Sequence, residues 1–402
     1  MIRLIDTTTL KFKRVDNEIR AHGRYAILSH VWLGKEHEVS FKELKLLSST
    51  KKGAIKVREF CRVAREVYGL KYAWVDTRCI NHDDLRETQT AINSMFRWYK
   101  KAAVCIVHLF EHEDARSFPE ARKDLPPESW FKRAWTLQEL LAPKKVHFYN
   151  KNWHFIGSKV DYASEISTIT SIPEEAITNK KELGTYSVAQ RMSWVAGRKT
   201  TYGEDIAYCL LGIFDIIDLP KEYGLGNGDR PPADEAFRLL QMKIIDKYDD
   251  LSIFAWYDPK LKETEKTYDL LARSPELFAE CGDFVKISPC VQQMEIKKNK
   301  LQVTGQPHLC LVKATSTNEV EPWEGDTWYN DTLTVPWGDG PHRCVLLVSS
   351  LCGNLIGIHL EEVSHHVFRK CASPMLQLDM YRTGYVGLDG YEIILDSVST
   401  SV

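Results

Sequence analysis

The spacing of apolar positions changes along the chain, and the predicted elements follow from those changes. Residues 25–32 (YAILSHVW), 72–76 (YAWVD), 103–109 (AVCIVHL) and 146–149 (VHFY) are short and almost continuously apolar. Runs of this kind predict strands buried on both faces. Between them the period lengthens to that of a helix. Ile55, Phe60, Val63, Ala64 and Val67 share a face of a helix predicted over 55–68, which Gly69 ends. DLRE at 84–87 has the form of a capping box and opens a helix to about residue 101, with Leu85, Thr88, Ile92, Met95, Tyr99 and Ala102 along one face. WFKRAWTLQELLAP at 130–143 predicts a third helix, with Ser129 as its cap and Pro143 as its stop. Trp130, Ala134, Leu137 and Leu141 form its apolar stripe, and Trp135 and Glu139, four apart, sit together on a neighbouring flank.

Strands alternating with helices predict an α/β fold, a parallel sheet with helices on both faces. Ligands of such sheets sit at the carboxyl ends of the strands. Ser29, His30 and Trp32 follow the first strand, residues 76–81 follow the second, and the Trp135/Glu139 helix follows the third, so these should converge. Beyond about residue 158 the pattern is helical, over 161–170, 187–195, 204–213 and 234–248, with a loop at 227–232. After about 258 it becomes strand-like, at 294–297, 300–304, 310–313, 331–335, 344–348, 355–360 and 391–395, which suggests a small antiparallel sandwich or barrel. The expected organisation is an α/β domain over 1–157, a helical extension over 158–258 and a β-rich domain over 259–402.

The bulk composition removes several function classes. With 44% hydrophobic and 27% charged residues and a formal net charge of -2, the chain has an ordinary soluble composition without the basic field that holds nucleic acid or an anionic membrane. The ten cysteines form no CxxC and no zinc spacing. No apolar run is long enough to span a bilayer, and no secretion signal is visible, so free thiols point to a reducing compartment, with a cytoplasmic location expected. No P-loop is present.

Four motifs in order carry a resemblance. YAILSHVWLG (25–34), YAWVDTRCIN (72–81), Glu87 with Met95 and Tyr99, and RAWTLQELLAP (133–143) are similar to the fungal heterokaryon-incompatibility (HET) domain. RMSWVAGR (191–198) and EDIAYCLLGIF (204–214) resemble the helical extension common in stand-alone proteins of that family. The chain departs from the pattern at Asn81-His82, where a glutamine is usual, and over 223–232. HET domains in turn resemble TIR domains, which implies a TIR-like (flavodoxin-like) sheet. WTLQEL at 135–140 matches the TIR spacing WCxxEL, whose glutamate cleaves the glycosidic bond of NAD. The resemblance therefore implies Glu139 as the catalytic carboxylate, Trp135 as its aromatic neighbour, NAD as substrate rather than cofactor, and no metal. It also implies a cell-death effector of non-self recognition that forms homo-oligomers and answers to an upstream recognition protein.

The residues themselves keep other readings open. Glu139 also reads as a solvated helix residue paired with a Lys or Arg, and Asp76 as a cap of its loop. Ser29 and His30 line the site or anchor a strand end; Trp32 offers a stacking ring, and Thr77 sits at the same loop. Arg133 approaches a phosphate or makes a salt bridge. Cys79, His30 and Asp76 are the residue types of a thiol hydrolase. A non-enzymatic scaffold that signals by assembly is the alternative to catalysis.

Overall fold

The computed structural model describes residues 2–285, except 16–21, 35, 44–48, 114–117, 120–124, 127–128, 218, 220–223, 225–230 and 259–270, together with the backbone of the strands from residue 291 onward. The chain forms two compact units, residues 1–183 with 197–223 and residues 184–196 with 224–402.

The first unit is α/β. Its strands are β1 (Ile2–Asp6), β2 (Phe12–Val15), β3 (Tyr25–His30), β4 (Tyr72–Trp74), β5 (Val104–Leu109), β6 (Val146–Asn150) and β7 (Phe155–Ser158), in the sheet order β2-β1-β4-β3-β5-β6-β7. The four predicted strands are β3 to β6, and all neighbouring pairs among them are parallel. Antiparallel β1, β2 and β7 extend the two edges; none was predicted from the apolar pattern, β1 because it is short and its buried Ile2, Leu4 and Ile5 alternate with polar Arg3 and Asp6, and β2 and β7 because they are short and partly exposed. Every residue of β3 and of β5 is buried, as their continuous apolar runs require.

Helix α1 (Lys52–Glu66) links β3 to β4, and the four-residue α2 (Asp76–Cys79) follows β4 directly. Helix α3 (Leu85–Lys101) links β4 to β5. The parallel strands stand in the order second, first, third, fourth, so the winding direction reverses between β3 and β5, the topological switch point of an open sheet. Indole and phenol rings of Trp74, Trp98 and Tyr99 pack beside β3 and β4 with centroids 5.6–5.9 Å apart.

Three local expectations are corrected. In α1 the buried side is Ala54, Lys56, Val57, Phe60, Cys61, Val63 and Ala64, while Ile55 and Val67 are exposed. In α3 Leu85 is exposed; Asp84 does cap the helix, but Glu87 does not return to it. Its carboxylate instead binds Arg3 at 2.6 Å and accepts from the Asn81 amide at 2.9 Å, because a half-buried guanidinium is the stronger partner. The predicted helix over 204–213 is regular only across Asp205–Tyr208 before it breaks into turns. The loop at 227–230, the strand at 331–335 and the turn at 298–299 lie outside the described residues.

The second unit holds helices Val188–Ser193 and Pro232–Lys247 and ten strands between Val291 and Asp396 in one mostly antiparallel sheet. Ser187 caps the first helix through the Gln190 amide at 3.1 Å.

In the first unit, Gly212 lies against α3. A Cβ there would come within 2.2 Å of the Phe96 Cβ, an atom fixed to its helix. Gly212→Ala is expected to destabilise the protein by about 1–3 kcal/mol, read as a lower denaturant midpoint; an unchanged midpoint would show that the 197–223 segment does not pack here.

Candidate functional site

The stretch 130–143 is not one helix. Residues Trp130–Lys132 form a single 3-10 turn, Arg133 is extended, and helix α4 spans Thr136–Leu141. The backbone explains the break. Lys199 N donates to Lys132 O at 2.6 Å and Ala134 N donates to Lys199 O at 3.0 Å, so these groups are spent on a bridge rather than on helix bonds. Buried Arg198 reinforces it by donating to Arg133 O at 3.0 Å and to Thr136 Oγ1 at 3.1 Å. Ser129 makes no side-chain cap.

The break brings two residues to one atom. Trp130 Nε1 donates to Ser29 Oγ at 2.7 Å, and Ser29 Oγ donates to Glu139 Oε2. A continuous helix would separate positions 130 and 139 by about 13 Å along its axis and put them on opposite sides. Indole N–H is a donor only, so Ser29 must accept from Trp130 and direct its own proton to the carboxyl. Tyr99 gives its hydroxyl proton to Leu28 O at 2.9 Å, and its hydroxyl beside Glu139 favours the charged form of that carboxyl.

Glu139 is buried, and burial pushes its carboxyl up to about 8; the Ser29 hydroxyl opposes the rise, the Asp76 charge adds to it, and the Tyr99 hydroxyl and Arg133 oppose it. At neutral pH Glu139 is therefore a neutral acid. The solvated reading of this residue is overturned.

Asp76 is the opposite case. Its Oδ1 receives His30 Nε2 at 3.0 Å and the Thr77 amide at 2.7 Å, and its Oδ2 receives Trp32 Nε1 at 2.8 Å. Burial would raise the carboxyl, but His30, with His82 and the Trp32 N–H, holds it well below the usual carboxylate range. Behind it, Lys56 Nζ meets His30 Nδ1 at 2.6 Å and pairs with Glu38. An ammonium can only donate, so His30 accepts at Nδ1 and carries its proton on Nε2, toward Asp76. Burial lowers the Lys56 ammonium and Glu38 counteracts this. Ser29 and His30 are neighbours on β3 and point to opposite faces of the sheet, so the Glu139 group and the Lys56 group flank the same strand end.

The remaining predicted residues separate. Trp32 is 44% exposed, with its ring edge-on to His82 at 5.6 Å, and stands open at the carboxyl end of the sheet. Thr77 is buried, and its hydroxyl has no hydrogen-bond partner among the described residues. Arg133 is half-buried and reaches Glu139 only through its charge. Trp135 directs its indole N–H to Asp205 at 3.1 Å, so the indole on the Ser29–Glu139 pair is Trp130. Cys79 is buried with its thiol pushed up to about 12 by that burial, which removes the nucleophile of a thiol hydrolase. Trp130, Tyr99, Lys56 and Glu38 were not predicted as site residues, although Tyr99 belongs to one of the four motifs. Trp130 and Tyr99 read as apolar stripe, although a buried indole or phenol needs a polar partner. Lys56 interrupts the buried face of α1, which was a usable signal; Glu38 gave none. Among the described residues no His, Cys, Asp or Glu cluster could hold a metal, and no helix is long and apolar enough to cross a membrane.

A buried neutral acid leaves a mark on stability. An unfolded Glu139 would titrate near 4.5, so between there and about 8 the folded chain binds the extra proton and stability falls as pH rises. Glu139→Gln lacks this penalty. The variant should gain about 3 kcal/mol on wild type between pH 5 and pH 8 in denaturant unfolding; a pH-independent difference would contradict a neutral Glu139.

Residues 25–124 match the family described as heterokaryon incompatibility protein (HET). The matched segment contains Ser29, His30, Trp32, Asp76, Thr77 and Tyr99 and ends before Trp130 and Glu139. The vegetative incompatibility protein HET-E-1 of Podospora anserina is 44% identical over 225 residues, which are 55% of this chain and 16% of that protein, so the chain spans about a sixth of the length of this relative. No solved structure matches the chain. Three of the four motifs lie within the match, on β3, on β4 with α2, and on α3, and the fourth follows it at α4, so residues 25–124 are similar to the heterokaryon-incompatibility (HET) domain in sequence and in the order of their motifs.

Proposed function

We propose that the chain is a cell-death effector of fungal non-self recognition whose HET domain hydrolyses NAD at the nicotinamide–ribose bond, with Glu139 as the reacting carboxylate. The observation that carries this reading is the buried Glu139 carboxyl, held by Ser29 at the switch point of the sheet and coupled to the ionised Asp76. The TIR-like spacing around Glu139 and the name of the HET-E-1 relative support it. Homo-oligomers and an upstream recognition protein belong to the same reading.

The chemistry follows from charge. The nicotinamide ring of NAD is cationic while joined to ribose, and a cation beside Glu139 favours its charged form, so substrate binding expels the proton. The C1′–N bond then breaks with its electron pair going to the nicotinamide nitrogen, which leaves neutral without a general acid. Positive charge develops on the ribose, as in glycoside hydrolysis, and the Glu139 carboxylate stabilises it. Water adds to C1′ and loses a proton, giving ADP-ribose. Trp32, fixed by Asp76, offers an open ring face beside the site for a planar heterocycle.

Purified protein incubated with NAD should release nicotinamide and ADP-ribose, and Glu139→Ala should lower the rate by a factor of about 10² to 10³. Because the free enzyme must lose the Glu139 proton, kcat/KM should rise with pH and level off above about 8. Wild type that stays inactive when concentrated, while its expression still kills cells, would overturn catalysis and favour signalling by assembly.

A further inference from the structure

A cavity of about 320 Å³ opens at the other end of the same sheet. Val104 and Val146 in its wall begin β5 and β6, so it lies at the amino edge, whereas Ser29 and His30 end β3 at the carboxyl edge. Its wall contains Lys144, Lys145, Lys159 and His147 and no carboxylate. Lys144 and Lys145 are exposed and have no ion-pair partner among the described residues. Lys159 is wholly buried, and its ammonium donates to Leu140 O at 3.0 Å, Pro143 O at 2.7 Å and Asn179 Oδ1 at 2.6 Å. All three acceptors are neutral. The three lysines therefore project a net positive field into a recess whose remaining wall is largely apolar, including Leu70, Val104 and Val146, with the exposed Asp161 carboxylate, bound to Ser158 of the wall at 2.8 Å, as the one negative charge beside it among the described residues.

We propose that this cavity is a second, non-catalytic site that binds a phosphorylated small molecule no larger than a mononucleotide. Lys144 and Lys145 meet the phosphate, Lys159 supplies charge from behind, and the apolar wall takes the body of the ligand. The volume is at the small end of the range for ligand sites, which suits one phosphate and one ring system. Two lysines that flank an open recess act as point charges on a phosphate, with the free donors that Lys159 lacks. The inference is independent of NAD cleavage, since a ligand here is at the wrong end of the sheet to take part in it. It also explains why a buried ammonium is tolerated without a carboxylate: burial pushes Lys159 down to about 7, and an anion nearby would restore its charge.

Adenosine 5′-monophosphate and adenosine serve as probes, titrated into the full chain at low salt with amide NMR and calorimetry. The nucleotide should bind at millimolar concentration or better, shift the signals of Lys144, Lys145 and His147, and exceed adenosine by at least about tenfold in affinity. Lys144→Glu with Lys145→Glu should lose at least about tenfold, and Lys144→Gln with Lys145→Gln should fall between, both melting like wild type. Glu139→Gln should bind as wild type does. The proposal is overturned if the nucleotide fails to bind at about 10 mM, if adenosine binds equally well, if the lysine variants bind unchanged, or if the shifted signals are those around Ser29.

Discussion

Ser29 has one hydroxyl proton, and Trp130 decides where it goes. The buried indole occupies the acceptor side of Ser29 Oγ at 2.7 Å, which leaves the Glu139 carboxyl as the recipient. Two features of the first unit make that three-residue chain possible. Strand β3 carries Ser29 to the carboxyl edge at the point where the winding reverses. The backbone bridge from Lys199, with Arg198 behind it, interrupts the helix so that Trp130 and Glu139 reach the same atom. Arg198 and Lys199 therefore belong to the site's architecture as much as the sheet does.

The two carboxyls at this edge are treated in opposite ways. Asp76 is saturated with donors from His30, Trp32 and the Thr77 amide and stays ionised; Glu139 is shielded, has a negative neighbour and keeps its proton. Environments that drive two carboxyls apart in this manner are characteristic of sites that do acid–base or charge-stabilising chemistry. Lys56, pinned between His30 and Glu38, fixes the tautomer that lets Asp76 hold Trp32, so a buried cation on α1 sets the position of an exposed ring at the mouth.

The sheet was legible because β3 and β5 are buried on both faces and so need an apolar residue at nearly every position; that signal needs no long-range information. Ser29, His30 and Asp76 stood out as polar residues at the ends of such runs, and they do end at one edge. The break at Arg133 was not legible. Its local sequence has good helix formers, and the groups that stop the helix lie more than sixty residues away, at Arg198 and Lys199. Trp130 was hidden for the same reason, since its place in an apolar stripe at helical spacing concealed the polar end of its ring. Trp135 was favoured over it by spacing to Glu139, and only the tertiary structure shows its indole turned to Asp205.

The central claim is that Glu139 is held neutral at this edge by burial and by the charge of Asp76. Site-resolved carboxyl NMR of the isotope-labelled protein tests it directly. The account predicts a Glu139 titration centred near 8, moving down in Asp76→Asn, where the neighbouring negative charge is gone. A carboxyl that titrates near 4.5, or that does not respond to Asp76→Asn, would contradict it.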